Sequence, residues 1–125
     1  MQDRFKFRAW NKNENEYIYD VEQIAIPDIM EDFVTLFRIV LRGTSDNLTL
    51  EQCTGLKDKN GKLIYEGDIV EAYDYTTEHS QIVWDKGCYV LKSKDAAIYE
   101  HLSNYEKQCA IIGNIHENPE LLEEK

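Results

Sequence analysis

The chain has 125 residues, with 24 acidic against 14 basic side chains and a formal net charge of −10 at pH 7. That length suits one hydrophobic core and is short for two, and 42% hydrophobic with 30% charged residues is the composition of a chain that folds rather than one that stays disordered. No run of about 18 apolar residues is present to cross a bilayer, and the opening Met1-Gln2-Asp3-Arg4 lacks the apolar stretch of a secretory leader.

Cys53, Cys88 and Cys109 are odd in number and far apart, which fits a reducing cytoplasm better than a disulfide framework. Acids and bases are interleaved along the whole length. The negative field opposes the counterion release that drives non-specific nucleic-acid binding. Residue chemistry therefore predicts a soluble cytoplasmic domain and assigns no activity by itself.

In chain order, Arg4-Phe5-Lys6-Phe7-Arg8-Ala9-Trp10 alternates strictly, which predicts a strand with Arg4, Lys6 and Arg8 on one face and Phe5, Phe7 and Ala9 on the other. The polar turn Asn11–Asn15 leads into a second strand, Glu16–Asp20. Between residues 21 and 53 the pattern is ambiguous. Ile29, Phe33, Leu36, Phe37, Val40 and Leu41 fit a helical stripe, but Phe33–Arg42 also alternates and is rich in β-branched residues. The β-branching favours strands and leaves the choice open. Gly43–Asn47 reads as a turn before a strand at Leu48–Gln52.

From Gly55 onward the pattern is short strands and turns. Asn60-Gly61 predicts a hairpin turn of type I′. Strands are expected at Leu63–Tyr65, Ile69–Tyr73, Gln81–Trp84, Cys88–Lys92 and Cys109–Ile115, with turns at Glu66-Gly67-Asp68 and Asp85-Lys86-Gly87. A short helix capped by Asp95 would align Ile98, Leu102 and Tyr105, and Asn118-Pro119 would open a last helical turn. The sum is mainly β with short helices: an N-terminal hairpin region over 1–53 and a small barrel or sandwich over 54–125, within one domain.

Motifs for chemistry are mostly absent. Gly55…Gly61-Lys62 has a spacer one residue too long for a phosphate loop, and Leu63 stands where a hydroxyl would hold magnesium. Asp58-Lys59-Asn60-Gly61 imitates part of an EF-hand loop, but Leu56 and Gly67 occupy ligand positions. His79, His101, His116 and the cysteines form no zinc-type pair, and there is no G-x-S-x-G elbow. Pro27-Asp28 lacks a matching acid-x-Lys triplet except at Glu123-Glu124-Lys125. Glu66, Asp68, Glu71 and Asp74 could in principle serve a metal-assisted site, though Asp68 after Gly67 also fits a turn carboxylate that bonds its own backbone. The expectation is no catalytic residue, no metal and no cofactor.

Lys6-Phe7-Arg8-Ala9-Trp10, the block Thr54–Val70 (TGLKDKNGKLIYEGDIV) and the ending Ile112–Leu122 (IGNIHENPELL) resemble, in that order, the YopX family of phage and prophage proteins. The resemblance implies a phage-derived protein of the bacterial cytoplasm whose later half is an SH3-like barrel. It implies no reaction, cofactor or site residue. The functional expectation is a non-catalytic module that binds an unidentified host or phage protein, with self-association left open. The expected surface combines aromatics at Trp10 and Tyr65 with acidic rims at Glu66, Asp68 and Glu71. Two alternatives stand beside it. One is nucleic-acid binding through Arg4, Lys6 and Arg8, disfavoured by the net charge. The other is acidic DNA mimicry that inhibits a host protein.

Overall fold

The computed structural model describes residues 6–21, 48–72, 79–94 and 98–123. The described residues form nine strands: β1 Phe7–Asn11, β2 Glu16–Tyr19, β3 Leu48–Lys57, β4 Leu63–Tyr65, β5 Asp68–Ala72, β6 His79–Asp85, β7 Cys88–Lys92, β8 Tyr99–His101 and β9 Cys109–Asn114. The chain is mainly β, as its alternation and turn residues predict. It divides into two compact units, Met1–Gln52 and Cys53–Lys125.

In the first unit, β1 is paired on both sides. β2 lies antiparallel to it with Arg8 opposite Tyr19 and Asn11 opposite Glu16, and β3 pairs with Phe7 opposite Gln52. The Asn11 side chain accepts the N–H groups of Asn13 and Glu14, and Asn15 takes the positive φ that closes the turn. The candidate strand or helix at Phe33–Arg42, the turn Gly43–Asn47, and Arg4 and Phe5 lie outside the described residues.

In the second unit, the later half of β3 pairs with β4, and a five-stranded antiparallel sheet runs in the order β8-β7-β6-β5-β9. Its core is Ile64, Val70, Ala72, Ile82, Leu91, Ile98, Leu102, Tyr105 and Cys109. The fully buried Ile and Leu side chains each contribute about 2 kcal/mol of transfer free energy. The outer edge of β9 is covered rather than open: Lys59 N–H donates to the Cys109 carbonyl (2.8 Å), Lys107 N–H to the Lys57 carbonyl (2.8 Å), and Ile111 N–H to Asp58 Oδ2 (3.1 Å). Capping an edge this way blocks its use as a template for aggregation.

Three local expectations are corrected. The turn at Asn60-Gly61 is not type I′, because Asn60 keeps a negative φ and only Gly61 (+81°) is left-handed. Asp58 decides this by starting a type I turn: its carbonyl accepts Gly61 N–H, and its side chain accepts the N–H groups of Asn60 and Lys62, each at 2.9 Å. The two-residue turn with positive φ at both positions is Lys86-Gly87 (+53° and +85°), between Asp85 and Cys88.

The short helix drawn through Ile98, Leu102 and Tyr105 is instead strand β8 followed by a 3₁₀ turn, Leu102–Tyr105. All three side chains are nevertheless in the core; Asp95, its expected cap, lies outside the described residues. Pro119–Leu122 is a 3₁₀ turn, and Asn118 does not cap it with its side chain. Asn118 Oδ1 accepts the Asn114 N–H instead, at 3.2 Å.

Candidate functional site

Of the expected basic face, Arg8 is not at the surface. Arg8 is buried at 3% exposure, its Nε donating to Glu51 Oε1 at 2.8 Å and its guanidinium lying 4.0 Å over the Tyr17 ring. Tyr17 donates its hydroxyl to the same Glu51 oxygen (3.1 Å), and Trp10, also buried, meets the Tyr17 ring edge-on at 5.0 Å. Tyr17 from β2 and Glu51 from β3 lie against Arg8, so the face that alternation assigns to solvent is covered there by neighbouring side chains. Lys6 is partly exposed, and Arg4 lies outside the described residues. The geometry of Arg8, Tyr17 and Glu51 is that of a structural ion pair, with the carboxylate satisfied by two donors.

The aromatic and acidic rim is corrected as well. Tyr65 and Asp68 are buried, and Asp68 Oδ2 accepts the Tyr65 N–H (2.8 Å) to close the turn in which Gly67 has φ +87°. Glu66 and Glu71 stay partly exposed. Glu71 faces His79, whose Nε2 is 3.8 Å from Oε2 while its Nδ1–H donates to the Leu121 carbonyl at 2.9 Å. Asp74 lies outside the described residues. Among the described residues, no group of three or more His, Cys, Asp or Glu side chains could hold a metal ion.

Among the described residues the exposed aromatics are Tyr19, Tyr99 and, most exposed, Trp84 on the β6–β7 hairpin. Trp84 is 56% exposed and packs edge-on against Tyr89, its cross-strand partner, with ring centroids 4.8 Å apart. Burial, then the charge of Glu66 and that of Cys53, push the Tyr89 hydroxyl up to about 12. Alternation places Trp84 on the inward side with Ile82, yet Trp84 sits next to the turn, where the sheet outruns the core. The one sequence signal for it was a tryptophan one residue before a turn, a position that period-two reasoning does not separate from a core position.

Residues in the strongest sequence blocks shape the backbone. Thr54 Oγ1 donates to the Ile64 carbonyl (2.8 Å) and accepts Leu56 N–H (3.1 Å), beside Gly55 at φ +84° where the β3–β4 register shifts. Asn114 Oδ1 accepts the N–H groups of His116 and Glu117, and its Nδ2 donates to Glu117. A Cβ on Gly113 would come within 2.6 Å of Asn118 Oδ1.

The YopX protein family's sequence profile matches residues 6–123 of this chain. The chain belongs to the YopX family. No curated protein matches it. Among solved structures it is similar to the crystal structure of protein EF1440 from Enterococcus faecalis, at 26% identity and a TM-score of 0.58, over 94% of this chain and 96% of that one. In this YopX chain the Thr54–Val70 and Ile112–Leu122 blocks thus supply turns, a register shift and side-chain acceptors for backbone N–H groups, and the Lys6–Trp10 block supplies strand β1 with its buried Arg8.

Proposed function

We propose that this chain is a phage- or prophage-derived accessory protein of the bacterial cytoplasm that acts by binding a protein partner, without catalysis. The carrying observation is the Trp84–Tyr89 pair, a half-exposed tryptophan braced by a tyrosine on a hairpin with a two-residue turn. Rigid aromatics of this kind lose little entropy on docking and dominate protein interfaces. Glu66, whose charge raises the Tyr89 hydroxyl, is partly exposed. We read the second unit as an SH3-like barrel, on the strength of its five-stranded sheet and the covered edge of β9; this is an analogy of architecture.

The nucleic-acid alternative rests on Arg4, Lys6 and Arg8, and of these Arg8 is buried and committed to Glu51, which speaks against it. The test is capture of partners from nuclease-treated host lysate by the tagged chain and by Trp84→Ala in parallel. The partner is then purified and titrated while Trp84 fluorescence is followed. Trp84→Ala should weaken the purified complex by about 30-fold. Partners that all vanish with the nucleic acid, or equal affinity of the two chains, would overturn the reading.

A further inference from the structure

Four chemistry-bearing side chains from three strands meet at the turn end of the β6–β7–β8 sheet. Their register puts them on the face opposite Trp84 and Tyr89. Asp85 pairs with Cys88, and His101 pairs with Val90, two residues along β7 from Cys88. Cys88 Sγ lies 3.3 Å from His101 Nδ1 and 3.5 Å from the Asp85 carbonyl oxygen. The Tyr99 hydroxyl donates to the Asp85 carboxylate.

The other two thiols are different. None of the three cysteines is in a disulfide, but Cys53 and Cys109 have no exposed surface, and burial followed by the charge of Asp58 pushes the Cys109 thiol up to about 11. Cys88 is partly exposed and has a base in contact with its sulfur. A backbone carbonyl can accept a hydrogen bond but cannot carry a thiol proton away; an imidazole can. The arrangement is a nucleophile and a base held in hydrogen-bond reach on paired strands.

We propose that Cys88 is a thiol-modification site, which takes up a low-molecular-weight thiol by exchange with its disulfide, with His101 as the proton acceptor. The Cys88 proton passes to His101 Nδ1, and its sulfur bonds to one sulfur of the small disulfide. The small disulfide's S–S bond breaks, and the other sulfur leaves as a thiolate that takes the proton from the imidazolium. Cys88 is oxidised to a mixed disulfide and half of the reagent is reduced to a thiol, so electrons and protons balance. This site is independent of the Trp84 surface.

The experiment treats the native chain with oxidised glutathione and follows adducts by intact-mass and peptide mass spectrometry. One adduct per chain should form, on Cys88, and none should form on Cys88→Ser. His101→Gln should slow the reaction by about tenfold near neutral pH, where an unassisted thiol is only a few per cent thiolate. The gap should close at about pH 10, where any ordinary thiol is ionised without help. A merely structural histidine would leave the gap in place at that pH. Near-ultraviolet circular dichroism checks both variants, and His101→Asn repeats the comparison if His101→Gln fails to fold. Native modification of Cys53 or Cys109 with Cys88 intact, equal rates for wild type and the folded His101 variant near neutral pH, or a gap that persists at high pH would each overturn the proposal.

Discussion

The Asp58 carboxylate accepts the backbone N–H of Ile111, 53 positions away, at 3.1 Å, while its other oxygen holds the turn of its own hairpin. One buried side chain therefore shapes a local turn and caps the edge of a distant strand. Burial favours the neutral acid. The N–H groups of Ile111, Lys62 and Asn60 and the charge of Lys62 outweigh it, and they hold the carboxyl below its ordinary 3.8.

Removing that acceptor should be costly. Asp58→Ala leaves three backbone donors to find other partners, and a loss of about 2–4 kcal/mol is expected in urea unfolding. Asp58→Asn should fall between the two, since the amide keeps one accepting oxygen but turns a donor toward a second N–H.

The same carboxylate predicts a pH dependence with a definite sign. Its folded value is depressed, so its contribution is fully present above 3.8 and is lost as pH falls through the lower folded value. The stability difference between wild type and Asp58→Asn should hold from neutrality to about pH 5 and shrink below about pH 4. Urea midpoints across that range check it; a difference that grows on acidification would contradict it.

At Gly113 the neighbour is a side chain. Gly113→Ala places a methyl group against Asn118 and should break the Asn118–Asn114 bond, at a cost of about 1–3 kcal/mol. A double-mutant cycle with Asn118→Ala should show coupling, because the second change removes the nearest clashing atom.

Arg8 offers a contrast between structure and binding. Arg8→Ala strands the buried Glu51 and should destabilise the chain by about 3–5 kcal/mol. Arg8→Lys should recover only part of this, since an ammonium cannot reproduce the planar stacking on Tyr17. Thermal unfolding of both variants tests the point. Electrophoretic mobility shifts at low salt should show no DNA complex for wild type to lose.

Much of the fold is legible in the sequence, and the failures have identifiable physical causes. Strands and turns are visible because alternation and glycine are local signals. Ile98, Leu102 and Tyr105 are rightly assigned to the core but to the wrong element, since a short strand followed by a 3₁₀ turn buries the same positions as a brief helix. The turn at Asn60-Gly61 is found but its type is missed, because the Asp58 side chain two residues earlier sets the geometry. Alternation on β1 exposes Arg8, yet a flanking strand brings Glu51 to it. The contact between Cys88 and His101 depends on the pairing of β7 with β8, which no spacing in the chain announces.

The covered edge of β9 also fixes an order of events during synthesis. β5 can pair with β6 as soon as the intervening residues have emerged, but its other flank stays open until β9 follows. Through that interval Asp58 lacks its Ile111 donor. Closure of such long-range pairs is slow compared with local hairpins. A chain in which β5 has met β6 but not β9 carries an unpaired strand flank, and it is in that state that a chaperone would have most to protect.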